Sequence, residues 1–139
     1  MKAARWAVLV GLWVAALLHV APLLAISGAA AIERLYGVTP GDATTLLLLQ
    51  HRALLFGLLG GLMLLAIWQP ALRWIALSVA MISMSGFVLL IGLDSEAAQL
   101  NAKVQQVGKI DLLALPLVAL GWLAQSRHAW LVRLRRSEA

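Results

Sequence analysis

Residues 45–68 read TLLLLQHRALLFGLLGGLMLLAIW, a run long enough to cross a bilayer that carries Gln50, His51 and Arg52 side by side near its start. A spanning helix takes about 20 predominantly apolar residues, and an ionisable side chain inside one is costly enough to need a partner or a route to the headgroups. Two things follow from this stretch. The chain belongs with lipid-solvated proteins, and other segments must supply company for its polar residues.

Three further apolar runs complete the expectation. Trp6 to Ile26 reads WAVLVGLWVAALLHVAPLLAI behind a short basic leader, Leu72 to Leu93 forms another, and the last runs from Lys109 through Pro116 to Gln125. A cleaved signal peptide competes for the first run, but that run exceeds a usual signal core and three spans follow it. Between the first two runs, AAAIERLY fits a short interfacial helix with Glu33 and Arg34 in water. Thr39-Pro40-Gly41-Asp42 reads as a helix start, with Thr39 as N-cap, Pro40 at the first helical position and Asp42 on the positive dipole end. Gln69-Pro70 makes a tight turn, residues 97–107 suggest a second surface helix broken at Gly108, and residues 126–139 a basic amphipathic tail containing His128. The expected fold is all-α: one domain over residues 1–139, an integral membrane four-helix antiparallel bundle with short interfacial helices outside.

Composition agrees. Of 139 residues, 63% are hydrophobic and 12% charged, against about half and about a quarter in soluble domains. There are no cysteines, which excludes disulfides, thiol catalysis and cysteine metal sites. The net charge of +5 sorts by membrane side. With a cytoplasmic N-terminus, Lys2, Arg5, Arg73, Arg127, Arg133, Arg135 and Arg136 lie inside and Arg34, Lys103 and Lys109 outside, seven against three. That satisfies the positive-inside rule and puts both termini in the cytoplasm. Trp6, Trp68, Trp74 and Trp130 fall at the cytoplasmic ends, where aromatic anchors sit. No basic-aromatic nucleic-acid surface appears, nor a phosphate loop, HExxH or GxSxG motif.

Depth brings the polar residues together. At 1.5 Å per residue His19 lies roughly 10 Å below the outer boundary, and His51 and Arg52 roughly 5–10 Å below it. Asp111 enters the fourth span at a similar level. Ala7, Gly11, Ala15 and His19 recur every four residues, and Asp111, Ala114, Val118, Gly121 and Gln125 share one face at 100° per residue. Stripes of small residues mark close helix contact. The expected polar cluster is His19, Gln50, His51, Arg52 and Asp111, with Asp111 pairing Arg52 unless Arg52 snorkels outward alone. Ala53, Gly57 and Gly61 form a second small-residue stripe, sharing Gln50's side of the helix and seating a bundle neighbour or a second copy. Gly11 and Gly121 are the matching packing positions. His19 and His51 admit a drawing as axial ligands of haem b, and His19, His51, Met81 and Met84 as a soft copper site. Methionine at this spacing more often fills core.

From Leu35 to Asp111 the pattern resembles a family of small four-helix bacterial inner-membrane proteins of unassigned function, broadly DoxX-like. The matching residues are LYGV (35–38), LLLQHRALLFGLLGG (47–61) with its HRAxLFG element, the QP turn with Arg73, and NAKVQQVGKID (101–111). The resemblance implies that His51, Arg52 and Asp111 are signature positions; it supplies no activity. Some such proteins are labelled phosphopantetheine adenylyltransferase, but this chain lacks the HxGH-type motif and parallel-sheet pattern that chemistry needs. The leading functional expectation is a non-catalytic accessory protein that packs against itself or a larger membrane complex in the bilayer. The alternative is a binder of haem b, quinone, a lipid headgroup or copper through an outward-facing His/Arg/Asp cluster.

Overall fold

The computed structural model describes the backbone of residues 2–137 and the side chains of residues 2–127. The described residues are almost all helical, with no strand: α1 (Lys2–Val20), α2 (Ala29–Tyr36), α3 (Ala43–Trp68), α4 (Arg73–Leu93) and α5 (Ala102–Ser137), with short 3₁₀ turns after α1, α3 and α4 and an irregular link over residues 37–42 between α2 and α3. Four segments, Lys2–Ser27, Ala43–Trp68, Pro70–Leu93 and Ala102–Arg127, are long and apolar enough to cross a membrane. The side chains of residues 128–139 of the basic tail, His128 and Trp130 among them, lie outside the described residues.

The long helices pack in the cyclic order α1, α3, α4, α5, and α1 also touches α4 across the middle. Glycine sets the closest approaches. A Cβ on Gly121 would stand 2.9 Å from the carbonyl oxygen of Ala7, and one on Gly11 would stand 3.2 Å from that of Leu117. These pairings run α1 and α5 antiparallel and fill the role expected of both glycines. The core between them is Val8, Leu12, Ala15 and Ala16 of α1 with Met63, Leu77, Met84 and Val118. Small residues bring the backbones together and a few long side chains plug the remaining space. Two hydrogen bonds tie helices laterally: Trp122 Nε1 donates to Ser78 Oγ at 2.8 Å, and Ser83 joins His19.

Sequence and structure part at two boundaries. Asp42, not Thr39, is the N-cap of α3, its carboxylate accepting from the Thr45 N–H at 2.7 Å. A carboxylate there satisfies an orphan donor and also meets the helix dipole. That bond holds the Asp42 carboxyl below its ordinary titration range. No break occurs at Gly108. It lies buried within one continuous α5, against Ile91, where a Cβ would meet Ile91 Cδ1 at 2.6 Å. The helix runs through it from Ala102, and the surface helix expected over 97–107 is reduced to a turn at Ala97–Gln99. The α3–α4 turn is held by Arg73, whose Nε and Nη2 donate to the carbonyls of Ala66 and Ile67 at 3.2 and 2.9 Å. This cation closes the C-terminal end of α3, where helix carbonyls lack partners.

At the opposite end α1 gives way to a 3₁₀ segment at Ala21, because Pro22 has no N–H to continue the ladder. α2 then lies across that end. Gly28 and Gly37, at φ of 124° and 66°, bound it in conformations that side chains rarely adopt. Ile32 of α2 buries against Ala25 and Ala53 in a second, smaller core. Lys103 secures the far end of α2, donating to the carbonyls of Glu33 and Arg34 at 3.1 and 2.7 Å. Asn101 both caps α5, through Val104 N–H at 3.0 Å, and reaches Gly37 O at 3.5 Å.

Candidate functional site

Beneath α2 lies a cavity of about 270 Å³, with walls drawn from all five helices. Leu18, His19 and Pro22 come from the first segment, Ile32, Leu35 and Tyr36 from α2, and Leu49, Arg52, Ala53 and Phe56 from α3. Ser83 and Phe87 come from α4, and Val104, Val107, Ile110 and Asp111 from α5. The wall is apolar except at Arg52, Asp111, His19, Tyr36 and Ser83.

His19 is 2% exposed and both ring nitrogens are engaged. Nδ1 lies 2.8 Å from the Ala15 carbonyl oxygen and Nε2 lies 3.0 Å from Ser83 Oγ. A carbonyl only accepts, so Nδ1 carries the proton; in the neutral ring Nε2 then accepts from the Ser83 hydroxyl. Phe56 packs against the imidazole, ring centroids 5.5 Å apart. Phe56 also meets the Arg52 guanidinium at 5.3 Å from the ring centroid, and Phe87 approaches the same group at 5.8 Å. Arg52 and Phe56 stand one helical turn apart, the spacing at which side chains meet. Two aromatic faces thus hold the cation by its quadrupole attraction.

Three of the five residues expected to cluster do meet: His19, Arg52 and Asp111 share the cavity wall. The other two do not. Gln50 turns away and donates to the Ile26 carbonyl at 2.9 Å, fastening the segment after α1 to α3. His51 is exposed and is not part of the wall. Among the described residues no hydrogen bond or ion pair joins Arg52 directly to Asp111; the contacts of the guanidinium are aromatic. A bis-histidine haem site does not fit, since His51 lies off the cavity and both nitrogens of His19 are taken. The copper drawing fares no better, because Met84 is core and Met81 packs against it.

The α3 small-residue stripe also needs revision. Ala53 is buried and Gly57 meets Leu23, but Gly61 faces open space, with nothing within 4 Å of where its Cβ would stand. Gly60 takes its place: a Cβ there would lie 2.9 Å from the Val20 nitrogen and 3.2 Å from the His19 carbonyl carbon. At about 100° per residue, position 60 is about 20° from position 53 around the helix and position 61 about 80°. A seven-residue spacing finds the contact that a run of fours misses.

The sequence does not single out Tyr36, Phe56, Phe87 or Ser83, and marks Lys103 only as an outer charge, although Tyr36, Phe56 and Lys103 lie inside the quoted motifs. Burial pushes the Tyr36 phenol above its ordinary range, and the nearby Arg52 charge pulls it partway back. Tyr36 is the chain's single tyrosine, so its titration is readable by ultraviolet absorbance. Arg52→Gln is expected to move that titration to higher pH; an unchanged midpoint would mean the guanidinium does not act on the phenol. No family model, curated protein or solved structure matches the chain in comparison.

Proposed function

We propose that this is a multi-pass protein of the bacterial inner membrane, both termini cytoplasmic, that binds a small amphipathic molecule in the cavity beneath α2. The observation that carries the proposal is a partly open apolar cavity whose wall includes one cation, one carboxylate, one phenol and one imidazole. Binding sites in general pair apolar walls with a few placed polar groups. A volume near 270 Å³ lies at the small end of the roughly 300–1,000 Å³ usual for small-ligand sites, which suits a headgroup better than a haem.

Membrane insertion is supported by the four long apolar segments and by what their outer faces carry. Leu47, Leu58, Ile82, Leu90 and Leu113 are all exposed, an arrangement suited to lipid. Trp6 and Trp68, 67% and 69% exposed, belong to the same end of the bundle as Trp74, as interfacial anchors would. The chain has no native cysteine, so single-cysteine variants report orientation cleanly. Glu96→Cys is expected to react with an impermeant thiol reagent on intact cells and Ala3→Cys only after lysis; the reverse pattern would invert the topology.

The geometry favours ligand binding over the accessory reading, because the stripe on which docking would rest turns inward at Ala53, Gly57 and Gly60. The test is thermal unfolding of the detergent-purified protein with and without extracted bacterial lipids. A saturable rise of several degrees is expected, since a ligand at 100 times its dissociation constant stabilises by about 2.7 kcal/mol. Arg52→Gln should remove most of that rise. No saturable rise with any fraction would sink the binding reading.

A further inference from the structure

Among the described residues, Arg52 and Asp111 are the only formally charged side chains in the cavity wall. They carry opposite signs, yet no ion pair joins them, and the guanidinium is instead held by Phe56 and Phe87. An aromatic face orients a cation without cancelling its charge. Arg52 is exposed and Asp111 half-buried; beside a wall that is mainly hydrocarbon each group gains by meeting an opposite charge. A purely anionic ligand would satisfy Arg52 and be repelled by Asp111; a cationic one would do the reverse. Only a molecule bearing both signs satisfies both.

We infer that the ligand is a small zwitterion, with a phosphate or carboxylate on Arg52 and a primary ammonium on Asp111. The inference rests on the binding reading above and narrows it to a ligand class. A guanidinium edge matches an oxyanion through parallel N–H donors. A carboxylate accepts from the three N–H groups of an ammonium. Tyr36 stands in the same wall as a further donor. The cavity of about 270 Å³ suits a group as small as phosphoethanolamine. That chemistry has two sources, a free soluble zwitterion and the head of a membrane phospholipid whose chains stay in the bilayer.

The experiment uses the full chain in a non-ionic detergent and follows saturable thermal stabilisation. The probes are short-chain phosphatidylethanolamine, short-chain phosphatidylglycerol and free phosphoethanolamine. The wild type is expected to bind the zwitterionic lipid about tenfold or more tightly than the anionic one, the scale of one charge-assisted hydrogen bond. Asp111→Asn should bring the two within about twofold, Asp111→Glu should keep the preference, and Arg52→Gln should weaken both. Free phosphoethanolamine binding as well as the lipid identifies a soluble ligand; lipid-only binding identifies a headgroup site. Either result supports the zwitterion. Equal or tighter binding of the anionic lipid by the wild type overturns it and leaves the cavity as a binding site, as does a preference that survives Asp111→Asn. If no probe and no lipid fraction binds saturably, the site reading falls with it.

Discussion

Gly60→Ala is expected to lower stability by about 1–3 kcal/mol, the range for forcing atoms into a packed core, while Gly61→Ala one position along raises it slightly. The contrast is sharp because both positions lie inside α3 and both exchanges improve helix propensity by up to about 1 kcal/mol. Only the surroundings differ. At Gly60 a new methyl group would press on the Val20 nitrogen at 2.9 Å and its Cγ2 at 2.6 Å. The backbone atom cannot rotate away, and a β-branched side chain in this position has little rotamer freedom. Relief must come from moving α1 off α3, which also displaces His19, the next residue along α1. At Gly61 the methyl group enters open space. Thermal unfolding of both variants checks this; equal shifts would mean that α1 and α3 do not approach at Gly60.

The second expected result concerns the cavity. Val107→Trp should leave the fold intact and abolish ligand-dependent stabilisation. Val107 lines the cavity from α5 and is only partly buried, so an indole has space to occupy and no packed neighbour to expel. Filling a void restores dispersion contacts that its walls lack, and the melting temperature without ligand should hold or rise. Binding should weaken at least tenfold, about 1.4 kcal/mol. A variant that melts like the wild type and still responds to lipid would place the ligand elsewhere.

How much of this was legible beforehand differs between fold and site. The four long helices and α2 could be read directly, because length and unbroken apolar character leave few alternatives for residues 6–26 or 72–93. The convergence of His19, Arg52 and Asp111 was also readable, from depth and from the small-residue faces of α1 and α5. What the sequence left open was direction within α3. Gln50, His51 and Arg52 are consecutive, so at about 100° each they cannot share a face. With leucine on every side of this helix, nothing in the pattern selects which of them turns inward. The structure resolves it through long-range partners: the Ile26 carbonyl takes Gln50, and Phe87, from α4, flanks Arg52. Phe56 lay one turn from Arg52 within the same helix, and that local signal was there to be used.

The same reasoning explains Gly108. Glycine in the largely polar run QQVGK (105–109) reads locally as a helix break, yet here its missing side chain admits Ile91. Lys103, assigned to an outer loop for topology, instead closes the carbonyl end of α2 over the cavity. Both roles depend on neighbours far along the chain.

The central claim is that a molecule occupies the space beneath α2. Native mass spectrometry of the protein released from mild detergent tests it most directly, comparing wild type with Val107→Trp. A small molecule of defined mass retained at one per chain by the wild type, and absent from the variant, is the result this account predicts. Wild-type protein that stays bare under conditions preserving its fold, or an adduct retained equally by Val107→Trp, would contradict it.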